Sequence, residues 1–92
     1  MKPTLTYHLD AGHPVIEWKK GLADGLKIFV NRDGSGFQYL DMDKRPNYKD
    51  THTLPDVGTS TIWMYKAIYV TGDFEETGQF SDELAVTVAG TV

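Results

Sequence analysis

The stretch IWMYKAIYV, residues 62–70, decides the fold of this chain. Side chains of an extended strand alternate between two faces. One face of this stretch carries an unbroken apolar row: Trp63, Tyr65, Ala67 and Tyr69. The opposite face is apolar too, apart from one lysine: Ile62, Met64, Lys66, Ile68 and Val70. A strand with one side in water normally has a polar face. The pattern therefore predicts a central strand with one row in the core and the other forming a semi-exposed apolar strip or docking surface.

Turn residues divide the rest of the chain into short segments rich in β-branched and aromatic residues, which predict strands. The predicted strands are Thr4–Leu9, Pro14–Lys19, Leu26–Val30, Phe37–Leu40, Tyr48–Thr53, Ile62–Val70 and Leu84–Val88. The segment RDGSG at 32–36 predicts a hairpin turn, because Asp-Gly favours positive φ. The stretches 54–61 and 71–79 are predicted to be long loops. Seven short strands at this spacing predict an all-β, antiparallel, immunoglobulin-like β-sandwich.

Two layers of strands are expected to close over one core set: Trp18, Ile28, Tyr65 and Val86. Phe29 and Val15 are expected to cover the outer row of the 62–70 strand, beside its apolar members Ile62, Met64 and Ile68. Ninety-two residues fit one domain and leave no room for a second.

The composition of the chain indicates which classes of partner and site are not expected. Nine basic and thirteen acidic residues give a net charge of −4. The basic residues are scattered, whereas nucleic-acid binding proteins show a basic patch or stripe, so no nucleic-acid partner is predicted. The chain contains no run of about 20 apolar residues, so no membrane insertion is predicted. The first ten residues lack the apolar core of a signal peptide. The absence of cysteine excludes disulfides and zinc-thiolate sites.

The residue types that carry catalysis or bind metals form no convincing constellation. The histidines are predicted at separate surface positions: His8, His13 and His52. Asp33 in the hairpin lacks the further ligands of a calcium loop, and Asp41 and Asp43 are expected to be solvated rather than to form a weak cation site. No serine has a base placed by a pattern. A sandwich of this size rarely forms a cleft of about 300–1,000 Å³, the size that ligands prefer. The sequence therefore predicts no enzyme, no metal and no cofactor.

Five segments, in this order, resemble a fibronectin type III domain: IEW at 16–18, KIFVNRDG at 27–34, YKDT at 48–51, GTSTIWMYKAIYV at 58–70 and SDELAVTV at 81–88. The resemblance covers residues 14–88 and implies that Trp18 points inward from the second strand. The hairpin NRDGSGF, the strand YKAIY and the segment GQFSDE are similar to bacterial members of the family. Trp63 stands where the family usually has a corner tyrosine that bonds to upstream backbone. Its indole N–H can donate one hydrogen bond in place of the hydroxyl.

Bacterial members of this family commonly occur as accessory modules. The resemblance therefore implies that residues 1–92 form a single domain of a larger multidomain protein, outside the cell or at its surface. The expected role is a non-catalytic interaction or spacer module that mediates protein–protein contact or positions neighbouring domains. The alternative is a carbohydrate-binding accessory module that contacts a polysaccharide through exposed loop aromatics.

The surface expected to make these contacts comprises seven residues: Phe29, Tyr39, Ile62, Met64, Ile68, Phe74 and Phe80. The carbohydrate alternative requires Tyr39, Phe74 or Phe80 to line one surface. Free sheet edges can accept a strand from another chain. The residues expected to protect them are Lys2, Pro3, Pro14, Asp82 and Glu83. This protection predicts a monomer.

Overall fold

The computed structural model describes residues 1–90 and shows eight β-strands. In chain order they are β1 (Thr6–Asp10), β2 (His13–Glu17), β3 (Gly25–Asn31), β4 (Gln38–Asp43), β5 (Tyr48–Lys49), β6 (Ser60–Thr71), β7 (Glu75–Thr77) and β8 (Leu84–Ala89). Within these 90 residues no helix is long and apolar enough to span a membrane.

The strands form two antiparallel sheets that pack into a sandwich. The smaller sheet has the order β1-β2-β5, and the larger has β3 and β6 at its centre with β4 outside β3. The other edge of β6 pairs with β8 over residues 60–65 and with β7 over residues 69–71. The all-β prediction is confirmed. The strand count differs, because the stretch 71–79, predicted as a loop, contains β7.

The predicted core is confirmed. Ile28, Tyr65 and Val86 are fully buried, and Trp18 is 4% exposed. All four belong to one cluster, to which the smaller sheet contributes Ile16. The hairpin predicted at 32–36 joins β3 to β4, and Gly34 at its tip has φ of 82°. Local alternation and turn chemistry were therefore sufficient to predict the two layers.

The two apolar rows of β6 have different environments. The inner row is buried as predicted: Trp63, Tyr65, Ala67 and Tyr69. In the outer row Ile68 is 5% exposed and Val70 is fully buried, whereas Ile62 is 54% exposed. The outer row is therefore accessible at its Ile62 end and closed at its Val70 end.

An ion pair crosses β6 at the closed end of this row. Lys27 of β3 lies opposite Ile68, and Glu76 of β7 lies opposite Val70. The two charged side chains meet across β6, with 3.3 Å between Nζ of Lys27 and Oε2 of Glu76. Because all four positions share the outer face, the ion pair lies beside Ile68 and Val70.

Val15 is placed differently from the prediction. It lies in β2 of the smaller sheet, between His8 of β1 and Lys49 of β5, and so it does not lie beside β6. Phe29 is on β3, opposite Lys66 of β6, and therefore lies on the outer face of the larger sheet. Only one of the two predicted neighbours thus reaches the outer row.

The amino-terminal segment lies along the gap between β7 and β8. The backbone N–H of Gln79 donates to the carbonyl of Met1 at 2.9 Å. Lys2 forms an ion pair with Asp82 at 2.6 Å, and Pro3 is fully buried. Residues 1–3 thus cover part of the edge that β7 and β8 present.

Pro14 has a different role from the one predicted. It lies in β2, the middle strand of the smaller sheet, opposite Leu9 of β1. On the other side its carbonyl accepts a hydrogen bond from the backbone N–H of Asp50 at 2.9 Å. Because both of its sides are occupied, Pro14 protects no edge.

Candidate functional site

Three aromatic side chains meet on the outer face of the larger sheet. The ring of Phe29 lies between those of Tyr39 and Phe80, with centroids 5.8 and 5.6 Å away. The interplanar angles are 75° and 68°, so both contacts are edge-to-face. Tyr39 lies opposite Phe29 on the edge strand β4 and is 56% exposed. The three rings therefore form a contiguous surface that the solvent reaches.

Lys66 carries the positive charge of this surface. Its Nζ lies 4.6 Å from the ring centroids of both Phe37 and Phe80. An ammonium group in this position is attracted to the negative faces of the rings. Within residues 1–90 no carboxylate is paired with Lys66. We call this surface the aromatic face, and it comprises Phe29, Phe37, Tyr39, Phe80 and Lys66.

The structure thus brings together three of the seven residues predicted for an interaction surface: Phe29, Tyr39 and Phe80. Ile62, Met64 and Ile68 share the outer face with Lys66 on β6, but Met64 is half-buried and Ile68 is buried. Phe74 lies in the turn between β6 and β7, where the ammonium of Lys44 sits 4.9 Å from its ring. The carbohydrate alternative therefore has Tyr39 and Phe80 on one surface, without Phe74.

Two members of the aromatic face were missing from the predicted interaction surface. Lys66 is the single charge in an otherwise apolar row, and that interruption was the available signal. Phe37 follows the hairpin glycines and precedes β4. Its contact with Lys66 depends on how β4 lies relative to β6, two strands away in the sheet, which no local pattern encodes.

A buried charge network lies between the sheets. Arg32 donates two hydrogen bonds to Asp50, and the hydroxyl of Tyr65 and the backbone N–H of His52 donate to the same carboxylate. Burial alone would raise the pKa of Asp50, but these hydrogen bonds, with the positive charge of Arg32, hold that pKa below its usual value. The carboxylate is committed to internal partners, so the network stabilises the fold rather than offering a reactive group.

Trp63 belongs to the same region. The guanidinium of Arg32 lies 4.4 Å from its ring centroid, and the ring of His52 packs edge-on at 5.6 Å. Tyr65, two residues further on, donates its hydroxyl to Asp50. Trp63 is therefore held by ring packing, and the hydroxyl hydrogen bond of this region comes from Tyr65.

The histidines lie in three different environments. His8 is 3.0 Å from Glu17 through Nδ1, His13 begins β2, and His52 packs on Trp63. In the described part of the chain, no three side chains of the metal-binding types form a cluster.

The aspartates considered for cation binding are engaged within the protein. Asp41 accepts from the hydroxyl of Tyr48 at 3.3 Å, and Asp43 accepts from Nε1 of Trp18 at 2.9 Å. Asp33 accepts from the backbone N–H and hydroxyl of Ser35, at 3.0 and 2.6 Å, and these bonds lower its pKa. All three carboxylates thus act as structural acceptors.

A cleft of about 630 Å³ opens where β2 ends. Trp18 and Tyr69 form its floor, with ring centroids 6.5 Å apart. Polar side chains surround the floor: Lys2, Thr4, Thr6, Glu17, Lys19 and Asn47. A cleft of the size that ligands prefer, predicted to be rare in a sandwich of this size, is thus present among the described residues. The amino-terminal segment builds one wall, and its path is not visible in any sequence pattern.

Comparison of the chain with models of protein families, with curated proteins and with solved structures gives no match.

Proposed function

We propose that this chain is a non-catalytic interaction and spacer module of the fibronectin type III kind, and that it contacts a protein partner or a neighbouring domain through its aromatic face. The observation that carries the proposal is the exposed group of three edge-to-face rings beside an ammonium without a paired carboxylate. Exposed contiguous apolar patches often mark interaction sites. Aromatic residues are also enriched at the centres of protein interfaces.

The strand order supports the proposal that this chain is of the fibronectin type III kind. A three-stranded sheet, β1-β2-β5, packs on a sheet in which β4, β3, β6 and a last edge follow one another. The last edge consists of β7 and β8, which pair with successive parts of β6 on the same side. Counting β7 and β8 as two parts of one interrupted strand gives the seven strands that the resemblance implies.

The positions of residues 1 and 90 support a spacer role. Gly90 bonds to Thr59, just before β6 begins. Met1 bonds to Gln79, two residues after Thr77, which pairs with Tyr69 near the far end of β6. The distance from residue 60 to residue 69 along a strand is about 30 Å. Polypeptide attached at the two positions would thus leave from opposite ends of β6.

Ring geometry favours a protein partner over a polysaccharide chain at the aromatic face. Both ring pairs are steeply inclined, at 75° and 68°, so they offer ridges and no shared flat platform. Ridges suit apolar side chains that interdigitate. The carbohydrate alternative at this face depends on the exposed rings of Tyr39 and Phe80, which Phe29 separates, since Phe74 lies elsewhere.

The test is site-specific photo-crosslinking in the native polypeptide. A photoreactive residue at position 39 is expected to capture one defined partner or neighbouring domain. The same residue at position 8, an exposed site on β1 of the smaller sheet, is the control and is expected to capture nothing above background. The crosslink at position 39 should disappear in a Lys66→Glu, Phe80→Ala background. Equal crosslinking from both positions would refute the proposal.

A further inference from the structure

The two rings on the floor of the cleft offer a ligand aromatic carbon and no free polar atom. Nε1 of Trp18 donates to Asp43 at 2.9 Å, and the hydroxyl of Tyr69 donates to the carbonyl of Lys19 at 2.8 Å. The polar atoms of both rings are therefore satisfied inside the protein. What remains for a ligand is a strip of aromatic carbon, because Trp18 is 4% and Tyr69 is 8% exposed.

The rim of the cleft offers donors and acceptors side by side. The side-chain carbonyl of Asn47 accepts from the backbone N–H of Trp18 at 3.3 Å, which leaves the amide NH2 to donate. The hydroxyl of Thr6 donates to Glu17 at 3.0 Å and retains its lone pairs as acceptors. The exposed hydroxyl of Thr4 can both donate and accept a hydrogen bond.

The charges around the cleft are balanced. Glu17 is negative and the exposed Lys19 is positive, while Lys2 is neutralised by its 2.6 Å ion pair with Asp82. A strongly anionic ligand would meet the carboxylate of Glu17, and a wholly apolar ligand would leave the rim without hydrogen-bond partners, which is costly. The lining therefore suits an uncharged molecule with many hydroxyl groups.

We propose that this cleft binds a neutral saccharide, with the carbon skeleton of the sugar against the exposed aromatic carbon of Trp18 and Tyr69 and its hydroxyls on Thr4, Thr6, Asn47 and Lys19. Each sugar hydroxyl both donates and accepts, as the mixed rim requires. The cleft volume of about 630 Å³ falls within the range of known ligand sites. This site is separate from the aromatic face and does not depend on the function proposed for that face.

The test is a nuclear magnetic resonance titration of the wild-type protein with neutral trisaccharides of glucose, mannose, xylose and galactose. The protein has two tryptophans, so two indole N–H signals report on two places. The Trp18 signal is expected to shift and saturate with at least one sugar, while the signal of Trp63, which lies against Arg32, stays constant. No shift at Trp18 up to about 10 mM of every sugar would overturn the proposal.

Matched variants locate the site. Thr4→Ala alters an exposed side chain and is expected to weaken binding about tenfold with an unchanged unfolding midpoint. Asn47→Ala is expected to weaken binding to a similar degree and also to lower the midpoint, because it removes the acceptor of the Trp18 backbone N–H. Tyr39→Ala on the aromatic face is expected to leave binding unchanged. Loss of binding in Tyr39→Ala with retention in Asn47→Ala would assign the sugar to the aromatic face and refute the cleft. A galacturonic acid trimer that binds as tightly as the best neutral sugar would refute the charge argument.

Discussion

Arg32 holds Asp50 through two parallel hydrogen bonds, Nη1 to Oδ2 at 2.9 Å and Nη2 to Oδ1 at 3.1 Å, and Asp50 is only 1% exposed. The pair joins the hairpin after β3 to the segment after β5, so it ties the larger sheet to the smaller one. Tyr65 brings β6 into the same network through its hydroxyl. Three elements far apart in sequence thus converge on one carboxylate.

Removing this carboxylate should cost more stability than removing any exposed one. We expect Asp50→Asn to lower the free energy of unfolding by about 3–5 kcal/mol, because Arg32 then keeps its buried charge without a counter-charge. Asp10→Asn is the control, since Asp10 pairs with Lys49 at 3.3 Å on the surface and exposed pairs contribute about 0–1 kcal/mol. Urea unfolding at pH 7 measures both variants. Equal losses in the two would show that the network is not a stabilising centre.

The hydrogen bonds to Asp50 also predict how the free energy of unfolding changes at acidic pH. The pKa of Asp50 is lower in the folded state than the value of about 3.9 expected when the chain is unfolded. The contribution of a carboxylate with a depressed pKa is fully present above about pH 4 and is lost as the pH falls through its folded-state pKa. We therefore expect the free energy of unfolding to decrease below pH 4. Asp50→Asn should flatten this decrease, whereas Ser35→Ala, which affects only the exposed Asp33, should leave most of it in place. A decrease as steep in Asp50→Asn as in the wild type would contradict the assignment.

The sequence was informative wherever a structural feature depends on neighbours close in the chain. The alternation in Ile62–Val70 and Leu84–Val88 predicted two strands and their inner rows, and Asp33-Gly34 predicted the hairpin. These features depend on side-chain periodicity and backbone preference, which are local.

The rest depends on contacts between distant parts of the chain. Lys27 and Glu76, 49 residues apart, meet across β6 next to the buried Ile68. β7 is a polar segment, Glu75–Thr77, that becomes a strand because it pairs with the end of β6. Lys66 joins the aromatic face, and residues 1–6 wall the cleft, only once the sheets have assembled. No pattern within a short window carries that information.

The raised pKa values of Tyr48 and Tyr65 predict that the folded state loses stability at alkaline pH. Burial and the neighbouring Asp41 raise the pKa of Tyr48 to about 12. Burial and the hydrogen bond to Asp50 also raise the pKa of Tyr65. A group whose pKa is raised by folding stabilises below its unfolded pKa, about 10 for tyrosine, and that contribution is lost as the pH rises through the folded-state value. We expect the free energy of unfolding to fall above pH 10 and absorbance titration to show late-ionising tyrosines among the five.

Tyr65→Phe tests the larger of the two tyrosine contributions. Loss of a hydrogen bond to a buried charged group should cost about 1.5–3 kcal/mol at pH 7. Tyr48→Phe removes a longer bond to the exposed Asp41, 3.3 Å, and should cost about 0.5–1 kcal/mol. A smaller loss in Tyr65→Phe than in Tyr48→Phe would mean that Arg32 alone satisfies Asp50.

Gly78 tests whether the amino-terminal segment is an integral part of the sandwich. Its φ is 79°, and a Cβ at this position would overlap the carbonyl of Met1. Gly34 is the matched control, since its φ is 82° but a Cβ there meets nothing. Gly34→Ala should cost about 1–2 kcal/mol, the penalty of a left-handed alanine. Gly78→Ala should cost that amount plus about 1 kcal/mol, because the hydrogen bond from Gln79 to Met1 is lost as well.

Amide hydrogen exchange distinguishes the cost of a left-handed alanine at position 78 from the cost of losing the hydrogen bond between Gln79 and Met1. The amide of Gln79 should exchange faster in Gly78→Ala than in Gly34→Ala, because only the first variant displaces its acceptor, the carbonyl of Met1. Lys2 and Thr4 lie on the displaced segment and line the cleft, so Gly78→Ala should also weaken saccharide binding while Gly34→Ala leaves it unchanged. Equal stability losses together with equal exchange at Gln79 would mean that residues 1–4 only rest against the edge of β7 and β8 and contribute nothing to holding the fold.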